Sequence, residues 1–199
     1  MDKIKICLLY LGSVITFVSC KNNSSTGDIV ARNDKNVTID ATDLSKVVGD
    51  LQRFRLAQTQ SQLSAVESEL SNGKKTNHWI WYIFPQIDGL VANPSSINKY
   101  YSIKTRKEAI AYLNDVFLSS NLKKHVALVR GHSKTKTLNQ IFDGDNIKFR
   151  SSMTLFGQII REESCFSGQE NIFFGVLTDF NENKDIKTLD LMQQDFFNR

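Results

Sequence analysis

Apolar residues recur at the three- and four-residue spacing of a helix along most of this chain, and sustained alternation is absent. Four apolar residues in its second half show the pattern, stepping by four, three and four: Phe149, Met153, Phe156 and Ile160. The 199-residue sequence contains only two prolines and ten glycines, so few positions force the backbone to turn. The pattern predicts an all-α fold, a compact single-domain bundle of about seven short helices with little or no β-sheet.

Capping signals indicate where several of these helices begin and end. A Ser or Thr followed three residues later by Glu or Gln can form a capping box at a helix start. Four such pairs adjoin apolar runs: Ser64 with Glu67, Thr105 with Glu108, Thr137 with Gln140, and Ser167 with Glu170. Asp50 and Asp145 are further predicted caps. Gly73 and Gly131 are placed to end helices.

The N-terminal segment is typical of a targeting signal. Lys3 and Lys5 precede an uncharged, mostly apolar run at residues 6–18. That run is too short to cross roughly 30 Å of hydrocarbon as a helix, but it suits the apolar part of a signal peptide. The sequence FVSC at residues 17–20 follows, and it is similar to the lipobox of bacterial lipoproteins, where cleavage precedes a cysteine that is then diacylated. A plain signal peptide or an N-terminal membrane anchor is the alternative.

The predicted domain organisation follows from this signal. Residues 1–19 form a lipoprotein-type signal peptide, residues 20–42 comprise the lipidated Cys20 and a flexible tether, and residues 43–199 form the all-α domain. The tether is predicted because Asn, Ser, Thr, Asp and Gly predominate in it and no period holds. Two acyl chains on Cys20 would anchor the protein to a bacterial membrane, in the cell envelope and facing outside the cytoplasm.

Composition and motif spacing exclude several classes of function. The net charge of +4 is small and no basic block exceeds two residues, so nucleic acid is not an expected partner. A Walker A sequence and a GxGxxG sequence are both absent, which excludes the common nucleotide-binding folds, and no cofactor is predicted. No metal site is predicted, because metal-ligand spacing is lacking among His78, His125, His132 and Cys165. His125 is expected to face solvent and Cys165 to be a plain thiol.

The segment that most suggests a binding site is residues 78–86, HWIWYIFPQ, which contains both tryptophans of the chain. Its strand propensity is high, but no partner strand lies within hairpin distance, so a short helix ended by Pro85 is at least as well supported. Rings with polar tips suit a pocket wall. The predicted wall residues are His78, Trp79, Trp81, Tyr82 and Gln86. The alternative is a packed core in which the indole N–H groups are satisfied.

Three segments, taken in order, resemble a known family: DLQRF at residues 50–54, HWIWYIFPQIDGL at residues 78–90, and RSSMTLF at residues 150–156. Over residues 50–195 or so the chain is similar to family 1810 of the bacterial domains of unknown function, whose members are sometimes misnamed calpastatin. The resemblance implies a compact single domain made almost wholly of helices, and it brings no established activity, substrate or cofactor. Members are usually cytoplasmic, which makes a cytoplasmic location the alternative to membrane anchoring.

The resemblance also links the aromatic segment to residues 150–156 as one predicted site. Hydroxyl and basic side chains of the matching regions would hold an anionic ligand there. The additional predicted ligand-binding residues are Arg53, Lys75, Lys148, Arg150, Ser151, Ser152 and Thr154. Under the alternative, the hydroxyls bond back to the backbone within a helix, and the basic side chains pair with acids such as Asp50 and Asp145.

Three functions remain open from the sequence. The preferred hypothesis is a small-ligand or peptide-binding module with an aromatic pocket. The second is an enzyme, a hydrolase or transferase acting on an anionic or nucleotide-like substrate, with His78 as acid–base and Ser151 as candidate nucleophile. No Gly-x-Ser-x-Gly elbow surrounds Ser151, which weakens the second hypothesis. The third is a structural or interaction domain without a pocket.

Overall fold

A computed structural model describes residues 5–11, 14–20, 51–166 and 168–198 of the chain. The predicted tether at residues 21–42 and the predicted cap Asp50 lie outside the described residues. Ser167, the first residue of one predicted capping box, lies outside them as well.

Helices make up most of the described chain. Their bounds are α1 (residues 51–57), α2 (Gln60–Ser71), α3 (Ile80–Ile83), α4 (Ser96–Tyr101), α5 (Arg106–Asn114), α6 (Val116–Arg130), α7 (Leu138–Phe142), α8 (Asn146–Glu162), α9 (Glu170–Asp179) and α10 (Ile186–Met192). A 3₁₀ turn at Ser164–Phe166 follows α8. Near the N-terminus, two strands pair in an antiparallel ribbon: β1 (Lys5–Leu11) and β2 (Val14–Cys20).

The prediction of an all-α single domain is confirmed, with ten α-helices in the described ranges rather than about seven. Helix α4 was not predicted because it contains no buried residue and therefore lacks an apolar period. A local cap begins it instead: the Ser95 hydroxyl accepts a hydrogen bond from the backbone N–H of Asn98 at 3.3 Å. Among the described residues, no helix has the length and apolar character needed to cross a membrane.

The predicted capping boxes agree with the structure to different degrees. The capping box at α7 is confirmed in full, because Thr137 and Gln140 each accept a hydrogen bond from the other's backbone N–H, at 3.2 and 2.8 Å. At α5 only half of the box forms: Thr105 accepts from the backbone N–H of Glu108 at 3.2 Å, while the Glu108 carboxylate turns elsewhere. The box predicted from Ser64 is wrong, since α2 begins at Gln60 and Thr59 caps it.

The predicted helix ends are confirmed at both glycines. Gly131 is the C-terminal cap of α6. Gly73 follows α2 with a φ of +64°, and its backbone N–H donates to the carbonyl of Leu70 at 3.0 Å. A Cβ at Gly73 would lie 2.9 Å from Nδ1 of His132, so glycine also permits a close approach of the turn after α6.

Helix α8 is the centre of the core, with α5, α7, α9 and α10 packed around it. The ring of Phe149 on α8 meets the edge of Phe84 at 4.9 Å between centroids and stacks on Phe142 at 4.8 Å. On the side of α9, Gly157 permits a close approach, since a Cβ there would lie 2.5 Å from the ring of Phe174. The four apolar residues that carried the helical pattern in the sequence are all buried.

The prediction that His125 faces solvent is wrong, because its side chain is completely buried. Position 125 is three residues after Leu122 and four before Val129, so it falls on the buried face of α6. Burial lowers the pKa of His125 to about 4, nearby Glu67 opposes that shift, and adjacent Lys124 adds to it. The prediction of a plain thiol at Cys165 is also wrong, because its sulfur is disulfide-bonded.

Candidate functional site

The aromatic segment forms the single-turn helix α3 and the turn after it, which confirms the short helix and rules out the strand. Phe84 leaves the helical region with a φ of −123° and a ψ of 73°, as the residue before Pro85 is expected to do. His78 precedes the helix and is exposed, whereas Trp79 is 1% exposed. One segment therefore supplies both a buried anchor and a surface group.

The buried anchor is Trp79 bound to Glu69 of α2. The indole Nε1 donates to the Glu69 carboxylate at 2.8 Å, as the packed-core alternative requires. The same carboxylate accepts from the backbone N–H groups of Thr76 at 2.6 Å and Asn77 at 3.1 Å, and from Asn77 Nδ2 at 2.5 Å. Burial raises the pKa of Glu69, but these hydrogen bonds outweigh burial and hold the pKa below its ordinary value. Glu69 thus holds both neighbours of His78, through the backbone and side chain of Asn77 on one side and through the indole of Trp79 on the other.

Around His78 lies a surface depression of about 370 Å³, which we call the His78 depression. Its lining residues come from α2, the loop before α3 and α3 itself: Gln62, Ala65, Asn77, His78, Trp79 and Tyr82. The Tyr82 hydroxyl donates to Oε1 of Gln62 at 3.2 Å across the depression. Burial, with smaller contributions from Tyr101 and Glu69, raises the pKa of Tyr82, so its hydroxyl stays protonated at neutral pH.

Two residues of the predicted wall lie away from this depression. Trp81 is half-buried, and Nζ of Lys148 lies 5.7 Å from the centroid of its ring. Gln86 is buried in the turn after Pro85, where its side chain donates to the carbonyl of Phe84. The backbone carbonyl of Gln86 accepts from the N–H of Ile103 at 2.8 Å, which ties this turn to the end of α4. Trp81 and Gln86 therefore do not line the candidate pocket.

The second predicted segment, residues 150–156, is buried in α8 from Ser151 onward. The hydroxyl of Ser151 is hydrogen-bonded to that of Thr188 on α10 at 2.7 Å. Thr154 donates to the carbonyl of Arg150 and accepts from the backbone N–H of Asp185, both at 2.8 Å. The Ser152 hydroxyl is buried and has no hydrogen-bond partner. The hydroxyls of Ser151 and Thr154 therefore join α8 to α10, and the structure does not bring Ser151 together with exposed His78.

The two segments do pack together, but through the core. The contact is the edge-to-face pair of Phe84 and Phe149, with centroids 4.9 Å apart. Neither ring is exposed. The sequence-based expectation of one open pocket that joins both segments is therefore not matched by the geometry.

The predicted basic residues are separated into three ion-paired groups, as their alternative interpretation expected. Lys75 and Lys148 both bind the carboxylate of Asp145, at 2.7 and 2.5 Å. Burial raises the pKa of Asp145, but the two lysines outweigh burial and hold it below its ordinary value. Asp145 precedes α8 as predicted, although its side chain makes no capping hydrogen bond because it is engaged by these lysines.

The other two groups lie elsewhere. Arg150 pairs with Glu182 at 3.5 Å and Asp185 at 3.6 Å, beside α10. Arg53 of α1 pairs with Glu108 of α5 and donates to the carbonyl of Ser102 at 3.0 Å. Among the described residues, no cluster of three or more His, Cys, Asp or Glu side chains could hold a metal ion.

Sequence reasoning missed Gln62, Ala65 and Asn77 of the depression, and Glu69 beneath it. A signal existed for three of them, because Gln62, Ala65 and Glu69 step by three and four along one face of α2. That face adjoins the buried face, which carries Leu63, Val66 and Leu70. Nothing in the pattern, however, indicates which loop covers it.

Comparison with known proteins agrees with the resemblance noted in the sequence. No curated protein of known annotation matches the chain. The crystal structure of the conserved hypothetical protein Rv1873 from Mycobacterium tuberculosis is similar, with 32% identity and a TM-score of 0.62 over 71% of this chain and 95% of that one. The family model described as "Protein of unknown function (DUF1810)" matches residues 48–191. The chain therefore belongs to the DUF1810 family of proteins of unknown function.

Proposed function

We propose that this domain binds a small polar ligand, or a short peptide segment, in the His78 depression. The observation that carries the proposal is the exposed His78 at the edge of a depression of about 370 Å³ whose backbone is fixed by Glu69. A volume near this size is at the lower end of the range, roughly 300–1,000 Å³, found for small-molecule pockets.

The fixed loop favours binding because less conformational freedom is lost when a ligand arrives. Asn77 and Trp79, the two neighbours of His78, are both hydrogen-bonded to Glu69. The imidazole of His78 is thus presented from a held backbone while its ring remains exposed. A pre-organised site of this kind retains more of its contact energy as affinity.

The lining favours a ligand with neutral hydrogen-bonding groups. Gln62, Asn77, His78 and Tyr82 provide amide, imidazole and phenol groups, and no Lys or Arg lines the depression. The Gln62 amide accepts from Tyr82 through its oxygen, which leaves its NH₂ group to donate to a ligand. The ligand that fits this lining is therefore neutral and polar, unlike the anionic ligand that the sequence predicted.

Binding is preferred to catalysis because the predicted catalytic pair is separated. Ser151 is buried against Thr188, so its hydroxyl is not available to a substrate at the surface. Among the described residues, no hydrogen bond or ion pair joins His78 to a carboxylate that would orient it as an acid–base group. The carboxylate of Glu69, which holds both neighbours of His78, is already bound to Thr76, Asn77 and Trp79.

Thermal-shift screening of the full chain against a metabolite and peptide library tests the proposal. A ligand of the depression should raise the melting temperature of the wild type, and His78→Ala should weaken its binding about tenfold, because one directional hydrogen bond is lost. Tyr82→Phe, which removes a single hydroxyl, should weaken it as well. Lys134→Gln is the control, because Lys134 is exposed and lies outside this depression.

Two results would contradict the proposal. One is a ligand whose binding is unchanged by both His78→Ala and Tyr82→Phe. The other is the absence of any hit from a broad library, which would favour a purely structural or interaction role for the domain.

We also propose that the chain is lipid-anchored through Cys20. Cleavage before Cys20 removes Cys7 and acylation uses the Cys20 thiol, so the disulfide of Cys165 belongs to the chain before this processing. The support is the basic start, the uncharged run at residues 6–18 and the small Ser19 before Cys20. Cells fed labelled palmitate should label the wild-type protein and leave Cys20→Ala unlabelled, with Cys165→Ala as the matched control that keeps its label. Label that survives Cys20→Ala would contradict an anchor at Cys20, and a wild-type protein without label would favour the cytoplasmic location usual for the family.

A further inference from the structure

A second surface depression, of about 440 Å³, lies where α1, α4 and α5 meet, and we call it the Lys99 depression. It shares no lining residue with the His78 depression. The side chains that matter for its chemistry are Arg53 and Leu56 of α1, Lys99 and Tyr100 of α4, Lys104 of the following loop, and Glu108 of α5. Three of these are cationic and one is acidic.

The floor of the depression is the ion pair between Arg53 and Glu108. Their side chains are only 10% and 4% exposed. Glu108 also accepts from the backbone N–H of Lys104 at 2.6 Å, and the Arg53 guanidinium lies 4.3 Å from the ring centroid of Phe54. These contacts hold the floor in one geometry and leave its charges balanced, so the net charge of the depression is decided by its rim.

The rim carries two lysines. Lys104 is 40% exposed, its Nζ donates to the carbonyl of Lys99 at 2.6 Å, and the same Nζ lies 3.1 Å from a carboxylate oxygen of Asp88. Lys99 is exposed, and within the described part of the chain no acid pairs with its side chain. With the floor neutral and Asp88 offsetting Lys104, Lys99 leaves the rim with an excess positive charge.

Apolar surface lies beside these cations. Leu56 is 66% exposed and Tyr100 is 57% exposed, two of the larger apolar exposures of the described chain. Tyr100 is not freely mobile, because its ring packs edge-on against Tyr101 with centroids 4.9 Å apart. A held aromatic ring, an exposed leucine and an excess cation thus border a single depression.

We propose that the Lys99 depression binds an amphiphilic monocarboxylate. Its carboxylate lies against Lys99 and Lys104, above the Arg53–Glu108 pair, and its apolar part lies between Leu56 and Tyr100. The excess positive charge of the rim favours an anionic ligand. One negative charge on the ligand is enough to balance it, because two of the three cations already face acids. The exposed leucine and tyrosine account for the apolar part, whose burial on binding offsets the entropy lost in association.

Two sources present this chemistry, namely a free fatty acid and a peptide C-terminus that ends in a large apolar residue. Calorimetric titration of the full chain with sodium decanoate, below its micelle-forming concentration, and with N-acetyl-phenylalanine separates them. Decanol and N-acetyl-phenylalanine amide are the uncharged counterparts. The variants are Lys99→Gln, the double variant Lys99→Gln with Lys104→Gln, and the control Lys134→Gln, an exposed lysine that lines neither depression.

We expect at least one carboxylate to bind and its uncharged counterpart to bind at least fivefold more weakly. Lys99→Gln should weaken the carboxylate about three- to fivefold, the size expected for one exposed charge pair, and the double variant should weaken it further. Lys134→Gln should leave binding unchanged. Tighter binding of decanoate would identify a fatty-acid site, and tighter binding of N-acetyl-phenylalanine would identify a peptide-terminus site.

Three results would overturn this proposal. Equal binding of a carboxylate and its uncharged counterpart would remove the role of charge. Equal binding by wild type and the double lysine variant would place the ligand elsewhere. Binding to anionic phosphatidylglycerol vesicles without binding to either soluble carboxylate would show that this face contacts a membrane surface. None of these results bears on the His78 depression, whose test uses different variants.

Discussion

Replacing Glu69 by alanine should lower the free energy of unfolding by about 3 kcal/mol, because one buried and three partly buried donors lose a charged acceptor at once. The donors are the Trp79 indole, the backbone N–H groups of Thr76 and Asn77, and the Asn77 side chain. Trp79 is 1% exposed, so water cannot replace the carboxylate at its Nε1 without opening the core. Urea denaturation monitored by tryptophan fluorescence and circular dichroism measures the change.

The matched control is Glu67→Ala on the same helix. Glu67 pairs with exposed Lys124, and an exposed pair of this kind contributes less than about 1 kcal/mol. If Glu69→Ala and Glu67→Ala cost the same, then Glu69 does not fix the loop. The held presentation of His78 would then lose its support.

The second large effect is a loss of stability on acidification, caused by His125. Its ring is fully buried, neither ring nitrogen has a hydrogen-bond partner, and Glu67 lies 4.0 Å from Nε2. Burial lowers the pKa to about 4, from an ordinary value of 6.5. Between these two pH values the unfolded chain binds a proton that the folded chain excludes, so stability falls as the pH falls. The loss should reach about 2 kcal/mol at pH 5 and about 3 kcal/mol at pH 4.

The carboxylates with shifted pKa values do not account for a loss of stability between pH 7.5 and pH 5. Glu69, Asp88 and Asp145 all have lowered pKa values, so each contributes stability that is lost only as the pH falls below its ordinary value, which is 4.5 for glutamate. Urea unfolding measured from pH 7.5 to pH 5 therefore isolates the histidine. Glu67 and Lys124, the charged groups nearest to His125, act in opposite directions on its pKa.

Two histidine variants complete this measurement. In His125→Leu the loss between pH 7.5 and pH 5 should largely disappear, because the titrating group is gone. His78→Gln removes an exposed histidine and should keep the wild-type dependence on pH. Parallel curves for wild type and His125→Leu would show that the buried ring is not what makes the fold sensitive to acid.

Helical periodicity and capping were enough to predict the fold class and several of the helix boundaries. They succeeded where the information is local, as at the Thr137–Gln140 box and at Gly73 and Gly131. They failed where a helix has no buried side, as in α4. His125 was misplaced because its neighbour Lys124 was given more weight than its position between Leu122 and Val129 on the buried face.

The candidate site was predicted only in part, for a similar reason. The aromatic residues with polar groups correctly indicated the segment that contains His78 and Tyr82, both of which line the depression. The hydroxyls of residues 150–156 were misjudged because their partners, Thr188 and Asp185, lie more than thirty residues further along the chain. Partners so far apart in the sequence cannot be recognised from the spacing of neighbouring residues. The buried hydroxyls of Ser151 and Thr154, which have a structural role, were therefore interpreted as part of a binding site.

The indole N–H signals of Trp79 and Trp81 in a ¹⁵N-correlated NMR spectrum test the central claim most directly. The chain has only two tryptophans, and Trp79 lines the His78 depression whereas Trp81 does not. A ligand found by screening should therefore shift the Trp79 indole signal, leave the Trp81 signal in place, and lose its effect in His78→Ala. A ligand that shifts only the Trp81 signal, or neither signal, would contradict binding at the His78 depression.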